Sequence, residues 1–296
     1  MPASQLMLRN QQESVNQTAS QAKSKLQMKS AITVSLVPES RGGPFVFWDH
    51  LESAIQQAAE LGFDAIEIFP PDPDFLRNSQ ADKLTSRNGI SIAAVGSGAG
   101  WVKHRLSLAD PNPEVRAAAL NFLFTLLETA ADLGAPIIIG SMQGRSGPGV
   151  SKETAQQWLR HALEQLDPRA LQLGTRVFYE PLNRYETDQC NTLAQGSQVI
   201  RGLQATKLLA DWFHMNIEES DMASAIRSSA ADIGHIHFAD TNRHAIGFGH
   251  LNPEPLVQTL LETKYTGYLS AEVLPLPNSL AAAQQTISSF RNLISK

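Results

Sequence analysis

Cysteine is nearly missing from this chain, long apolar runs are missing altogether, and neither of the common glycine patterns for nucleotide binding occurs. The lone Cys190 cannot close an intramolecular disulfide, which excludes a disulfide-stapled secreted scaffold. No apolar stretch approaches the roughly 20 residues that span a bilayer, and no leader with a continuous apolar middle stands at the start. A soluble protein of a reducing compartment is expected, with the cytoplasm as its location and no membrane partner. No strand-like run is followed by a dinucleotide-type glycine fingerprint. The glycine-rich stretches 97–101 and 144–149 lack a phosphate-loop pattern and are expected as flexible loops over a site.

Positive charge is also scarce. The formal net charge is −5 at pH 7, and the basic residues are unevenly spread. Residues 1–30, rich in Gln, Ser and Asn, carry Arg9, Lys23, Lys25 and Lys29 against a single acid, Glu13, so the remainder stands at −8. Such a surface repels phosphate backbones, and no nucleic-acid partner is expected. Residues 1–30 are taken as a poorly ordered N-terminal extension on composition.

With 296 residues of which 42% are hydrophobic, the chain can bury a sizeable core. From Ala31 onward, strand-like runs alternate with helical periods, the pattern of βα units and a parallel sheet. Candidate strands cover 32–37, 65–69, 90–95, 136–141, 175–180, 207–211, 233–238 and 268–273. Between the first two, Leu51, Ala54, Ile55 and Ala58 recur at helical spacing and Gly62 is placed to end the helix. Asn112 before Pro113 supplies a cap and a first-turn proline for a long helix that Gly134 closes. Eight strands in residues 31–296 fit a (β/α)8 TIM barrel, typically about 250 residues, and leave little for another domain. An open doubly wound sheet is the structural alternative.

In such barrels chemistry sits at the C-terminal ends of the strands. Four strands each end in a polar residue among apolar neighbours: Glu180, kept extended by Pro181, then Asp211, His237 and Glu272. One carboxylate at a strand end caps a helix or pairs with Arg without further meaning. Three carboxylates and an imidazole converging on one mouth repel each other or stay unpaired unless a cation joins them. Oxygen-rich ligation with one imidazole favours a single divalent ion per chain, with Mn²⁺ first and Co²⁺, Mg²⁺ or Zn²⁺ as substitutes. Glu180 and Glu272 are then candidates to move a carbon-bound proton that a Lewis acid has made labile. Glu186, His214 and Arg243 follow ligand-bearing strands and are candidate substrate groups. His235 shares a face with His237 and is read as a core or supporting histidine ahead of a further ligand.

The segments Glu180-Pro181-Leu182-Asn183-Arg184-Tyr185-Glu186, Asp211-Trp212-Phe213-His214-Met215-Asn216, His235-Ile236-His237-Phe238-Ala239-Asp240-Thr241-Asn242-Arg243 and Gly267-Tyr268-Leu269-Ser270-Ala271-Glu272 resemble the sugar phosphate isomerase/epimerase family. This is the xylose isomerase-like barrel superfamily, and the likeness is greatest to the D-tagatose and D-psicose 3-epimerases. It implies metal ligation by Glu180, Asp211, His237 and Glu272, with Glu180 and Glu272 as an acid/base pair on opposite faces of a sugar or sugar phosphate. It further implies that His214 and Arg243 bind carbonyl-side oxygens, that Glu186 binds a terminal hydroxyl, and that the reaction is ketose 3-epimerisation through a cis-enediolate.

The chain departs from the pattern after Arg243, where Ile246 replaces a usual proline and Asn252 a usual acid, and Trp212 is larger than the residue common there. These differences bear on which sugar is bound. Phe47, Trp48 and Trp101 are left to barrel packing. Aldose–ketose or hydroxypyruvate-type isomerases and inosose dehydratases would share the metal site, and Arg243 favours the epimerase. A noncatalytic sugar-binding barrel is another class. An endonuclease IV-like DNA repair enzyme ranks low, because its extra zinc-binding histidines have no counterpart and the charge is wrong. Whether the chain forms a homo-oligomer is left open.

Overall fold

The computed structural model describes residues 28–295. Eight parallel strands pair in sequence order: β1 (Lys29–Ser35), β3 (Ala65–Phe69), β4 (Ser91–Gly96), β5 (Ile137–Ile139), β6 (Val177–Tyr179), β7 (Thr206–Asp211), β8 (Ile233–His237) and β9 (Tyr268–Ala271). β9 returns to β1 from Lys29↔Tyr268 to Ile32↔Ala271, so the sheet closes into a barrel without an open edge there. A two-residue strand, β2 (Phe47–Trp48), also pairs with β1, at Val34 and Ser35. The (β/α)8 barrel expected from the sequence is the fold.

Strand alternation sorts side chains between two cores. Ile137 and Ile139 of β5 join the large core between sheet and helices, whereas Ile138 turns inward to a separate cluster with Ala94, Phe178 and Leu209. Both faces are covered, which is why these strands are apolar almost throughout. The same alternation sends Glu67, flanked by the outer-core residues Ile66 and Ile68, into the barrel, along with His235 and His237 on either side of Ile236.

Helix signals in the sequence act as anticipated. Leu51–Leu61 buries Leu51, Ala54, Ile55 and Ala58 and ends at Gly62, whose φ of 83° is left-handed. The Asn112 side chain accepts the Glu114 N–H at 2.9 Å to cap the helix Pro113–Asp132, and Gly134 takes a φ of 69° after its end.

Several boundaries differ from the sequence reading. β1 begins at Lys29, so Met28, which is buried, and Lys29 and Ser30 belong to the barrel; the rest of the expected extension lies outside the described residues. It ends at Ser35 because Pro38 opens a 3-10 turn, Pro38–Ser40. β5 omits Pro136, which has no N–H to pair, and Gly140 and Ser141, which turn into a second 3-10 turn, Ser141–Gln143. The stretch 97–101 is no open loop: its last three residues begin the short helix Ala99–Val102. The stretch 144–149 packs away from the cavity over the strand ends, with Ser146 N–H donating to Asp188 at 2.9 Å. Among the described residues, no helix is long and apolar enough to cross a membrane.

Candidate metal centre

Four strand ends deliver four ligand atoms to one point. Glu180 follows β6 directly, with its N–H donated to the Ile139 carbonyl at 3.0 Å. The buried Gln143 amide locks this corner, donating to the Glu180 carbonyl at 2.9 Å and the Gly140 carbonyl at 3.0 Å while accepting the Tyr179 hydroxyl at 2.9 Å. Asp211 closes β7 and caps the helix Trp212–Glu218, its Oδ1 accepting from Phe213 N–H at 2.7 Å and His214 N–H at 3.2 Å. Its Oδ2 is left facing the barrel axis. His237 ends β8, and Glu272 follows β9.

These carboxylates surround one imidazole nitrogen. His237 Nδ1 lies 3.1 Å from Asp211 Oδ2, 3.3 Å from Glu180 Oε1 and 3.5 Å from Glu272 Oε2. Ligand atoms from all four residues fall within 4.8 Å of one another, and all four are buried. With metal–ligand bonds of about 2.1 Å, adjacent ligands of a divalent ion stand about 3 Å apart and opposite ones about 4.2 Å, so the set suits such an ion. Glu180 Oε1 is buried with no hydrogen-bond donor, as a ligand oxygen would be. The cluster is therefore able to coordinate a divalent metal.

Electrostatics divide the carboxylates into two kinds. Burial, reinforced by the charges of Glu272 and Asp211, pushes the Glu180 carboxyl up to about 8 despite its contact with His237. Burial likewise raises Glu272, opposed by Arg243 and His237. Asp211 is also penalised by burial, but Arg243, His214 and His237 outweigh that and hold it far below the usual range. Asp211 is thus a fixed anion, and Glu180 and Glu272 are the groups that readily take a proton.

The expected substrate residues line the same cavity of about 450 Å³. Arg243 reaches in from the loop after β8, its Nη2 bonded to Glu272 and standing 3.2 Å from Asp211 Oδ2, with its guanidinium 4.7 Å from the Phe213 ring centre. Its own backbone has a left-handed φ of 59°. Asp240 shapes that loop by accepting the N–H groups of Thr241, Gly247, Gly249 and Leu251 at 2.7–3.1 Å. His214 is held by Asn183, whose backbone N–H donates to Nδ1 at 3.1 Å. A backbone N–H only donates, so Nδ1 is an acceptor there, while Nε2 faces Arg243 Nη1 at 3.1 Å in the cavity. Burial, with Arg243 and His237 nearby, lowers His214 to about 3, so the ring is neutral. Glu186 is half-exposed at the rim and accepts from Asn183 Nδ2 at 3.2 Å.

The sequence reading missed Glu67 and Asn183, and it left the cavity wall undescribed. Glu67 is fully buried and receives both His235 Nε2 at 2.6 Å and His237 Nε2 at 3.1 Å. A charged residue within the apolar run Ala65-Ile66-Glu67-Ile68-Phe69 was the available signal. His235 supports the centre through Glu67 and stacks on Phe178 at 5.2 Å. The wall comes from Val37, Phe45, Phe69, Val102, Ile138 and Leu182. Phe47, Trp48 and Trp101 do not line it; Phe47 packs in the core as expected, whereas Trp101 is exposed.

The profile of the xylose isomerase-like TIM barrel family matches residues 55–293. The 3-dehydro-D-guloside 4-epimerase of Escherichia coli is 29% identical over 239 residues, which is 76% of this chain and 88% of that protein. The D-psicose 3-epimerase of Agrobacterium fabrum is 30% identical over 244 residues, covering 77% of this chain and 82% of that one. Among solved structures, the 3-keto-D-glucoside 4-epimerase from E. coli superposes with a TM-score of 0.74 at 25% identity, over 90% of this chain and 100% of the other.

Proposed function

This chain belongs to the xylose isomerase-like TIM barrel family, and on that premise we propose that it is a metal-dependent ketose 3-epimerase in which Glu180, Asp211, His237 and Glu272 hold one divalent ion. Similarity to epimerases over three quarters of the chain makes it an enzyme of the isomerase class. The convergence of three carboxylates on His237 Nδ1 carries the finer reading. An oxygen-rich set with one imidazole favours Mn²⁺.

A bound divalent ion supplies Lewis acidity to the ketose oxygens, lowering the barrier to loss of the neighbouring carbon-bound proton. Everything else falls to the side chains. Glu180 on β6 and Glu272 on β9 stand three strand steps apart in an eight-strand ring, nearly across the mouth, so each can address a different face of a flat enediolate. One removes the proton and the other returns one from the far side, inverting the carbon. Each carboxylate can hold the ion through one oxygen and take or give the proton through the other. Arg243 offers a permanent positive donor to the developing oxyanion, and the neutral His214, 3.1 Å from Arg243 Nη1 through Nε2, helps hold that guanidinium in the cavity. Glu186 at the rim is suited to accept from a distal hydroxyl.

A second reading, a 4-epimerase of a 3-keto-glycoside, is favoured by the E. coli relative and by a 450 Å³ cavity whose outer wall is largely apolar. The chemistry is the same, since both carbons adjoin a ketone. Turnover in D₂O places solvent deuterium at C3 of a ketose product on the first reading and at C4 of a keto-glycoside product on the second. Label at C1 identifies an aldose–ketose isomerase, and product free of label even after many turnovers sinks the two-carboxylate exchange. The single buried thiol, Cys190, suits a reducing compartment such as the cytoplasm.

A further inference from the structure

Behind the proposed ligand His237, inside the barrel, stand a carboxylate and a second histidine to which the proposed reaction gives no role. Glu67, His235 and His237 are all 0% exposed. Each oxygen of Glu67 meets one imidazole: Oε2 lies 2.6 Å from His235 Nε2, and Oε1 lies 3.1 Å from His237 Nε2. An ionised carboxylate can only accept, so both rings must present N–H at Nε2. The consequence for His237 is specific: Glu67 keeps a hydrogen on Nε2, so an ion entering the centre would displace the hydrogen that Nδ1 shares with Asp211 at 3.1 Å and find the ligand lone pair on the nitrogen facing Glu180, Asp211 and Glu272. Glu67 likewise keeps a hydrogen on Nε2 of His235, whose Nδ1 is buried without a partner and so needs no hydrogen to place.

We propose that Glu67 is a positioning residue for the metal centre: by accepting from His237 Nε2–H it selects the ring tautomer and orientation that offer Nδ1 as ligand, and His235, stacked on Phe178, holds Glu67 in place. A carboxylate behind a metal-ligating histidine raises the basicity of the ligand nitrogen as well as fixing the ring. The alternative, a second ion among Glu67, His235 and His237, would strip both imidazoles of the hydrogens that these contacts use and leave a fully enclosed ion with no access to substrate. This inference rests on the proposed metal site, but the readouts below do not depend on turnover.

Glu67→Gln is the informative change, since it keeps the volume and replaces one acceptor by a donor. The amide can accept from only one ring. The other ring must then carry its hydrogen on Nδ1, and for His237 that puts N–H where the ligand lone pair belongs. Divalent-ion affinity of the full chain, measured by chelator competition with Mn²⁺, should fall by about 10–100-fold. Imidazole ¹⁵N spectra of the Zn²⁺-loaded chain should show His237 bound through Nδ1 with Nε2–H intact in the unaltered protein, and a disturbed tautomer in Glu67→Gln. Activity lost at limiting Mn²⁺ should return at high Mn²⁺ with KM for sugar little changed, which a merely structural defect would not produce. His235→Phe, compatible with the Phe178 stack, should weaken the ion less, and it carries the test if Glu67→Gln fails to fold.

Unchanged affinity and tautomer in folded Glu67→Gln overturn the proposal. A second tightly held ion, lost in Glu67→Gln while the first stays, assigns the cluster as a metal site and overturns it too. A wild-type chain that takes up no divalent ion overturns both this inference and the metal site beneath it.

Discussion

The two mouths of the barrel carry similar residue types and use them oppositely. At the C-terminal mouth, Asp211 spends one oxygen on two backbone N–H groups and leaves the other free toward His237 and Arg243. At the N-terminal mouth, Asp167 spends both, accepting the N–H groups of Gln204, Ala205 and Thr206 at 2.7–3.0 Å and the Thr206 hydroxyl at 2.8 Å, which ties the start of β7 to the helix Lys152–Gln172. The N-terminal mouth even has the larger cavity, about 740 Å³ against 450 Å³, with Asp132, Arg176, Lys264 and Tyr265 on its walls. Size does not locate the chemistry. Convergence of incompletely satisfied polar atoms does, and that occurs where strands end and loops begin.

The sharpest break of this contrast is at the upper mouth. Glu180→Gln and Glu272→Gln should each lower kcat by about 10²–10⁴-fold, as loss of a general acid or base does, with the thermal midpoint little changed. A variant retaining near-normal kcat would remove that residue from the proton exchange.

Next comes Gly140→Ala, which touches the same carboxylate from the neighbouring strand. A Cβ there would stand 2.5 Å from Glu180 Oε2, so the carboxylate must shift. Metal affinity and kcat should fall together, by about 10-fold or more for a displacement near 1 Å, while secondary structure by circular dichroism stays intact. Normal metal affinity would show that Glu180 tolerates the shift.

The lower mouth should respond in stability and leave activity alone. Asp167→Asn keeps the shape but loses a charged acceptor, at a cost of about 1.5–3 kcal/mol, read from denaturant melts. Its pH dependence has a definite sign. Burial raises the Asp167 carboxyl, yet the donors from residues 204–206 outweigh it and hold it below its ordinary 3.8. The stabilisation is therefore complete above the unfolded value and is lost as pH falls through the lower folded one. The gap between wild type and Asp167→Asn should stay constant near neutrality and shrink only below about pH 4. A gap that instead narrows toward alkaline pH would contradict the assignment. Both proteins should turn over substrate alike at pH 7.

Deleting residues 1–27 should have the smallest effect, because Met28 and β1 retain their contacts with the barrel. A fall of several degrees in the thermal midpoint would show that the segment packs on the lower mouth or on another copy.

Legibility from sequence followed the same division. Strand periods, the Asn112-Pro113 cap and the four polar strand ends are local patterns, and their chemistry was readable because each polar residue stood among apolar neighbours. The reading slipped at 136–141, where proline and glycine bound a shorter strand than the hydrophobic pattern implied, and at 97–101, where glycines read as a loop begin a short helix.

By itself the sequence determined the barrel, the four ligand candidates and the chemistry their types imply, because repeating βα periods and polar strand ends are properties of short stretches. Only the tertiary structure decided which nitrogen of His237 faces the carboxylates, that His214 is set between Asn183 and Arg243, and that Glu67 stands behind the centre. Glu67 lies 168 and 170 residues before the histidines it binds. Their meeting depends on the closure of β9 onto β1, which turns the inward face of every strand toward a single axis.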